Sequence, residues 1–310
     1  MVVKDSPEFF YLFWGAIKAG YVPVPLNTLF RSNDYAYIIE DSECASVFYS
    51  PEFKIEVESA LGQVSRSPDH SCLTEGVSGS FLEQLQSASL ELDAVPASAT
   101  DDCFWLYSSG STGNPKGVIH PHRSMVCTSE RFARNTAGLK EEDTVFSASK
   151  LFHSYGFGNA MTFPLWVGAT TVLSDEKVNP EISFRMIENF RPTVYFGVPT
   201  LYAQQLRALE TEAPDLSSLR LCISAGEALP GDVFRRWKEE TGTLIIDGLG
   251  STENLHIFIS NRPDDYKFGT SGKPVSGYEI KLVDDNEKEI IKPVSYTHLR
   301  AHETDSYLVC

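Results

Sequence analysis

The sequence has little of what marks several large classes of protein. Its 310 residues include 6 cysteines, and none belongs to a Cys-x-x-Cys pair or to a histidine cluster at metal-binding spacing. No thiol has charged neighbours that would activate it as a nucleophile. A zinc module, a disulfide scaffold and a cysteine-dependent enzyme are therefore not expected, and a reduced cytoplasm is the expected compartment.

Positive charge is also scarce. Lys and Arg number 26 against 42 Asp and Glu, which gives a formal net charge of -16. Such a surface repels a phosphate backbone, so nucleic acid is not expected as a partner. An anionic nucleotide would need local dipoles, a metal ion and single cations to hold it.

Long uncharged stretches are limited to residues 151–173, which contain no Asp, Glu, Lys or Arg and approach membrane-spanning length. His153, Asn159 and Pro164 within this stretch favour a buried loop, helix and strand instead. The early charges Lys4 and Asp5 are not typical of a secretory signal. No membrane partner is expected.

Hydrophobic residues make up 42% of the sequence. Along the chain, segments in which they have helical spacing alternate with segments in which they have strand-like spacing. Residues 9–17 and 32–43 have helical spacing, and each is followed by a predicted apolar strand, 22–26 and 45–50. Residues 62–101 are polar and predict a surface excursion. Further strands are predicted at 103–107, 144–149, 170–174, 193–198, 219–226 and 243–250, and further helices at 124–136, 180–190, 200–210 and 230–240. The pattern predicts a layered α/β fold.

The most distinctive motif is YSSGSTGNPKG at residues 107–117, directly after a predicted strand. Its glycines allow close approach of the backbone to a ligand, and its hydroxyl and N–H groups suit phosphate oxygens. Lys116 adds a point charge. The motif is neither a Walker A loop nor a dinucleotide fingerprint, and flexible surface linkers share its composition.

Two further segments follow predicted strands, SAGEALP at 224–230 and DGLGSTE at 247–253. Taken singly, the first is typical of a strand-to-helix turn and the second of a helix cap. In this order, however, the three motifs resemble the adenylate-forming (AMP-binding) superfamily, and most closely benzoate-CoA ligase and related aryl-CoA ligases. KLFHSYGFGN (150–159), RPTVYFGVPTLY (191–202) and GTSGKPVSGYEI (269–280) extend the resemblance to about residue 292.

The resemblance implies the large α/β N-terminal domain of such enzymes and assigns roles by position. It makes Thr252, Glu253 and Lys116 catalytic, with Thr252 at the α-phosphate and Glu253 a ligand of Mg²⁺. The implied ATP-binding residues are Ser108, Ser109, Gly110, Ser111, Thr112, Gly113, Lys116, Gly226, Glu227, Ala228, Asp247, Gly248, Leu249, Gly250 and Thr252.

The implied acid pocket comprises His153, Ser154, Tyr155, Gly250, His256 and Ile257. Tyr155 and Ile257 would supply apolar walls, and His256 could hydrogen-bond the carboxylate. A histidine beside an apolar run is also commonly a satisfied strand residue. His120 stays undecided between a site residue and a strand end.

The implied reaction joins an aromatic, benzoate-like acid to AMP from ATP and then to coenzyme A, as a ligase. A small-molecule acid, ATP and CoA are the expected partners, and a homodimer is compatible. Two alternatives remain open: an adenylation domain that loads a carrier protein, and a nucleotide-binding module without catalysis.

The resemblance treats residues 1–292 as a partial adenylation domain, incomplete at both ends. Residues 293–310, VSYTHLRAHETDSYLVC with the preceding Pro, do not continue the family pattern and are expected to be a non-native tail. The alternative is a divergent native tail. Little or no activity and poor solubility are expected of the chain by itself.

Overall fold

Helices and strands alternate along the part of the chain that the computed structural model describes, residues 1–108, 113–283 and 289. The helices are α1 Pro7–Lys18, α2 Ser32–Asp41, α3 Lys54–Leu61, α4 Phe81–Ser87, α5 His122–Thr128, α6 Ser154–Phe157, α7 Phe163–Val167, α8 Pro180–Phe190, α9 Pro199–Ala208 and α10 Gly231–Thr241. A 3₁₀ turn spans Pro51–Phe53, and π-helical segments span Ser129–Arg134 and Gly158–Thr162.

The strands form a central sheet and two smaller pairs. They are β1 Ser46–Tyr49, β2 His70–Leu73, β3 Asp102–Ser108, β4 Lys116–Pro121, β5 Thr144–Ser147, β6 Thr170–Val172, β7 Val194–Gly197, β8 Leu221–Ser224, β9 Ile245–Gly250, β10 Ile257–Ser260 and β11 Lys273–Pro274. The central sheet has the order β11-β10-β9-β8-β7-β5-β6. β1 pairs with β2 in parallel, and β3 with β4 as an antiparallel hairpin.

Five neighbouring strands of the central sheet, from β6 to β9, run parallel, and β10 and β11 add an antiparallel margin. All four residues of β7 and of β8 are buried. Continuous apolar strands of this kind occur where helices cover both faces of a sheet. The carboxyl ends of β5, β7, β8 and β9 therefore meet at one edge.

Each face of the central sheet has its own core. On one side Trp237 of α10 and Tyr202 of α9 pack with Tyr195 of β7. On the other side Phe132 and Phe163 pack against Val194, Phe196 and Ile223. These two layers hold the strands in register and fix the height of their carboxyl ends.

The predicted layered α/β fold is confirmed, and each predicted strand from 103–107 onward overlaps an observed one. The strand predicted at 22–26 was wrong, because Pro23 and Pro25 lack the N–H that a ladder needs. The predicted helix 124–136 divides into α5 and a π-helical segment. The polar excursion also contains β2 and α4, which sequence analysis missed together with α3, β4, β10 and β11.

Residues 151–173 form a loop, helical segments and β6, as predicted. Within the ranges described above, no helix is long and apolar enough to cross a membrane.

The surroundings of Gly156 in α6 leave no room for a side chain. A Cβ at this position would lie 2.1 Å from the backbone oxygen of Lys150 and 2.4 Å from that of Ser149. We expect Gly156→Ala to lower the free energy of unfolding by at least about 3 kcal/mol, because the backbone of the preceding loop must move. Urea unfolding measures the change.

Gly15→Ala is the matched control, because a Cβ at Gly15 would meet nothing within 4 Å and the residue lies inside α1. It should raise the free energy of unfolding by about 0.5–1 kcal/mol. Equal effects of the two substitutions would contradict the packing around α6.

Candidate functional site

The loops that leave the carboxyl edge of the central sheet carry most of the predicted site residues. The loop after β5 leads to His153, Ser154 and Tyr155, and the loop after β8 contains Gly226, Glu227 and Ala228. Asp247, Gly248, Leu249 and Gly250 end β9, and the following turn contains Thr252 and Glu253. Three segments separated in the sequence are thus brought to one edge.

The glycine- and serine-rich motif lies between the strands of the β3–β4 hairpin. Ser108 ends β3 and pairs with Lys116 at the start of β4. Ser109, Gly110, Ser111 and Thr112, which were predicted to bind ATP, lie outside the described residues. Gly113 is exposed, with a φ of 152°.

The hairpin packs against the carboxyl edge. Phe104 of β3 stacks on Phe157 of α6 at a centroid distance of 4.8 Å. His120 of β4 is 2% exposed, stacks on Phe104 at 4.9 Å, and its ring lies near the backbone of Thr252. His120, left undecided by sequence, therefore lies beside the predicted catalytic turn.

The turn at Thr252 and Glu253 is held by its backbone. The Leu255 N–H donates to the Thr252 carbonyl at 2.9 Å, and the Asn254 N–H donates to Ser251 Oγ at 3.2 Å. Leu255 is buried with a positive φ of 64°, which costs energy for a branched side chain. Thr252 is half-buried and Glu253 is exposed.

The loop between β8 and α10 is open as well. Gly226, Glu227 and Ala228 are exposed, and the φ of 94° at Gly226 is strained for residues with a side chain. This loop follows β8 directly, beside the end of β9. It therefore borders Asp247 from the neighbouring strand.

Asp247 is the acid at this edge whose pKa is shifted most. It is 2% exposed, and its Oδ2 accepts a hydrogen bond from Ser271 Oγ at 3.0 Å. Its Oδ1 is buried and has no partner among the described residues. Burial raises the pKa of Asp247 to about 7. A carboxyl group with a spare buried oxygen is suited to bind a hydrogen-bond donor.

Tyr155 braces the same edge from α6. Its hydroxyl lies 3.2 Å from the carbonyl oxygen of Gly197 and 3.1 Å from that of Ile223. The prediction described Tyr155 as an apolar wall, but its polar end also ties α6 to the last residues of β7 and β8.

The remaining pocket residues differ in exposure. His256 is buried against the rings of Tyr155 and Phe163, and Ile257 is buried at the start of β10. Gly250 faces the backbone of His256, whose oxygen would lie 2.7 Å from a Cβ at that glycine. His153 is exposed and Ser154 half-buried.

A cavity of about 570 Å³ lies away from these pocket residues, among α1, α2 and β1.

Asn159 was not among the predicted site residues. It is wholly buried, and its Oδ1 lies 3.0 Å from His256 Nε2 although the two residues are 97 positions apart. Nothing in the local sequence pattern indicates this contact, since it depends on how the π-helical segment Gly158–Thr162 packs against the turn before β10.

Comparison with known proteins shows the family of the chain. A family model described as AMP-binding enzyme matches residues 1–295. The chain belongs to the AMP-binding enzyme family. This confirms the resemblance drawn from the three motifs.

Curated members of the AMP-binding family that resemble the chain act on aromatic acids by name. A benzoate–CoA ligase of Thauera aromatica is 45% identical over 289 residues, which cover 93% of this chain and 55% of the relative. A 4-hydroxybenzoate–CoA/benzoate–CoA ligase of Rhodopseudomonas palustris is 42% identical, over 94% of this chain and 54% of the relative. The chain spans about half the length of these AMP-binding relatives.

Solved structures from the AMP-binding family share the fold. A benzoate CoA ligase from Burkholderia xenovorans LB400 has a TM-score of 0.85 at 39% identity, covering 93% of this chain and 57% of the other. The anthranilate CoA ligase AuaEII, solved with anthranoyl-AMP, has a TM-score of 0.88 at 40% identity, covering 93% and 55%. The roles of individual site residues here stay predictions.

The raised pKa of Asp247 makes stability depend on pH with a definite sign. The folded-state pKa is about 7 against 3.8 for the reference group, so the folded protein holds this proton more tightly. The contribution is complete at low pH and is lost as the pH rises through about 7. Lowering the pH from about 8 to about 5.5 should stabilise the unsubstituted protein relative to Asp247→Asn by about 1–2 kcal/mol.

Urea unfolding of both proteins at the two pH values measures this difference. Asp5, whose pKa is also raised to about 6 by burial, is present in both proteins and cancels in the comparison. Identical pH dependence of the two proteins would contradict the protonation of Asp247 near neutral pH.

Proposed function

We propose that this chain is the nucleotide- and acid-binding part of an aryl-acid CoA ligase, which activates a benzoate-like carboxylic acid with ATP. The observation that carries the proposal is the meeting of Asp247, the Gly226–Ala228 loop and the Thr252–Glu253 turn at one sheet edge, with His120 of the β3–β4 hairpin near the turn. The names of the similar ligases support the same class of substrate.

The edge residues suit the parts of ATP. Gly226 and its exposed neighbours leave room for a flat base beside β8, and Asp247 Oδ1 is an acceptor without a partner in the described chain. Thr252 offers a hydroxyl donor to a phosphate oxygen. Lys116 and the motif before it contribute a cation and backbone N–H groups to the phosphates.

Mg²⁺ fits the same site through Glu253. The described residues contain no group of three or more His, Cys, Asp or Glu that could hold a metal on its own. One exposed carboxylate suits Mg²⁺, which usually retains waters and takes its other ligands from substrate phosphates. When bound, the ion supplies neutralisation of phosphate charge.

The reaction that follows from this arrangement needs no covalent bond to the protein. A carboxylate oxygen of the acid attacks the α-phosphorus of ATP, the bond to pyrophosphate breaks, and an acyl-adenylate forms. The thiol of CoA then attacks the acyl carbon and AMP leaves. The residues of the edge contribute by orienting the two reactants and by stabilising phosphate charge.

The test is an assay of pyrophosphate release on the longest product of the gene that contains this chain, with and without CoA. We expect release that requires an aromatic acid, with an aryl-CoA as product. Release without CoA consumption would indicate transfer to a carrier protein. ATP binding without acid-dependent release would contradict the proposal.

Thr252→Ala and Glu253→Gln should each lower the rate of acid-dependent release by about 10²–10³-fold, because each removes one group that stabilises phosphate charge. Glu239→Gln, an exposed carboxylate on α10, is the matched control and should leave the rate unchanged. Equal rates in all three variants would remove the Thr252–Glu253 turn from the mechanism.

A further inference from the structure

The loop between β10 and β11, residues 261–272, folds back onto Asp247 of β9. On one side it is anchored in a core, since the ring of Phe268 lies 4.6 Å from that of Phe234 of α10 between centroids. At its end the backbone passes close to its own start, and a Cβ at Gly272 would lie 2.2 Å from the backbone nitrogen of Asn261. The 261–272 loop is therefore closed at its neck and held against the sheet.

Asn261 makes this closure with its amide. The residue is 1% exposed, its Oδ1 accepts from the Lys267 N–H at 2.9 Å, and its Nδ2 donates to the Thr270 carbonyl at 2.5 Å. Its backbone N–H donates to the Asp247 carbonyl at 2.9 Å. One buried amide thus joins both arms of the loop to β9, and its loss would leave buried backbone groups without partners.

The loop delivers one hydroxyl to the side chain of Asp247. Ser271 is half-buried, and its Oγ donates to Asp247 Oδ2 at 3.0 Å. Ser224 also lies near this carboxyl group, but its Oγ has no hydrogen-bond partner in the described part of the chain. A carboxyl group turns as a rigid plane, so a hydrogen bond that fixes Oδ2 also fixes the direction of Oδ1.

We propose that Ser271 is a positioning residue of the nucleotide site: its hydroxyl, held in place by Asn261, fixes Oδ2 of Asp247 and leaves Oδ1 for a donor group of ATP. The inference rests on the proposed function for its ligand. Neither Ser271 nor Asn261 is among the residues predicted for the site. Their contribution follows from the path of the loop, which brings a residue 24 positions away onto the acid.

The proton affinity of Asp247 is measured first, because it does not depend on activity. Carbon NMR of the chain labelled with ¹³C at the aspartate carboxyl groups follows the titration, and Asp247→Asn identifies the signal. The hydrogen bond from Ser271 favours the ionised carboxyl group. Ser271→Ala should therefore raise the pKa of Asp247, with proton binding about threefold to tenfold tighter.

The other titratable groups around Asp247 are the same in every variant. Tyr155 faces it from α6 and stays neutral, because burial raises the pKa of its phenol well above the usual value. Glu227 and Lys267 are exposed on the two flanking loops, and Lys273 pairs with Asp265. A difference in pKa between variants therefore reports the hydroxyl at position 271.

Thr270→Val is the matched control, because it removes the neighbouring hydroxyl of the same loop, which donates to the Lys267 carbonyl at 3.1 Å. It should leave the pKa of Asp247 unchanged. Ser271→Thr keeps a hydroxyl at the position and should restore most of the original value. An unchanged pKa in Ser271→Ala, or an equal rise in Thr270→Val, would overturn the role of Ser271.

Nucleotide binding then tests the consequence, on the longest product of the gene that contains this chain. Calorimetry with ATP and Mg²⁺ in the absence of acid should show binding about threefold to tenfold weaker in Ser271→Ala, as expected for one hydrogen bond that is no longer held in direction. The KM for the aromatic acid in pyrophosphate release should stay unchanged. Thr270→Val should retain the original affinity for ATP.

Asn261 is tested through the serine. Asn261→Ala should weaken ATP binding at least as much as Ser271→Ala, because the loop opens and the serine leaves Asp247. The double variant should then bind ATP no more weakly than Asn261→Ala alone, whereas additive losses would overturn the role of Asn261. Asn261→Asp, which loses only the donor to the Thr270 carbonyl, takes its place if the alanine variant does not fold.

The outcomes separate the two proposals. Equal loss of ATP affinity in Ser271→Ala and Thr270→Val, or an equal rise of the KM for the acid, overturns the positioning role while the ligase function stands. Absence of ATP binding by the unsubstituted gene product overturns the proposed function, and the carbon NMR result then decides by itself whether Ser271 positions Asp247.

Discussion

The parallel order of β5, β7, β8 and β9 is the constraint on which the candidate site depends. Because these strands run the same way, every loop that follows them leaves at the same edge. The hydroxyls of Tyr155 and Tyr202 both reach the Ile223 carbonyl there, at 3.1 and 3.0 Å. The end of β8 is thereby tied to α6 on one side and to α9 on the other, so the loops start from fixed positions.

Electrostatics at this edge differ from those of the whole chain. A net charge of -16 opposes the approach of a polyphosphate, yet burial raises the pKa of Asp247 at the end of β9 to about 7, so this acid carries less than a full charge at neutral pH. His120 is neutral as well, since burial lowers its pKa to about 4. Hydrogen-bonding groups can then face the ligand without strong repulsion, and single charges such as Lys116 decide the local potential.

Sequence alone predicts the parts of this molecule whose signals are local. Buried strands such as β7 and β8 are continuous apolar runs, and α8 and α10 have clear helical spacing, so their positions follow from residue type. The carboxyl-edge loops are likewise predicted, because motifs follow strands. β4 and β10 are mixed in burial, and their pairing partners rather than their composition define them.

The same distinction applies within the site. Thr252 and Glu253 are found from a contiguous motif, whereas His120 and Asn159 acquire their roles from contacts with residues far along the chain. Signals in the sequence for such contacts are indirect and lie in the small residues that permit them. A Cβ at Gly158 would lie 2.5 Å from the ring of His256, so the histidine can approach the π-helical segment Gly158–Thr162 only because that position is glycine.

The adjacent Gly158 and Asn159 thus act on the same ring in different ways. Gly158 lets the imidazole come close, and Asn159 Oδ1 lies 3.0 Å from its Nε2. Both residues belong to the π-helical turn Gly158–Thr162, a kind of turn that is frequent at functional sites. A glycine that resembles a flexible element in the sequence is, in the folded chain, a requirement of close packing.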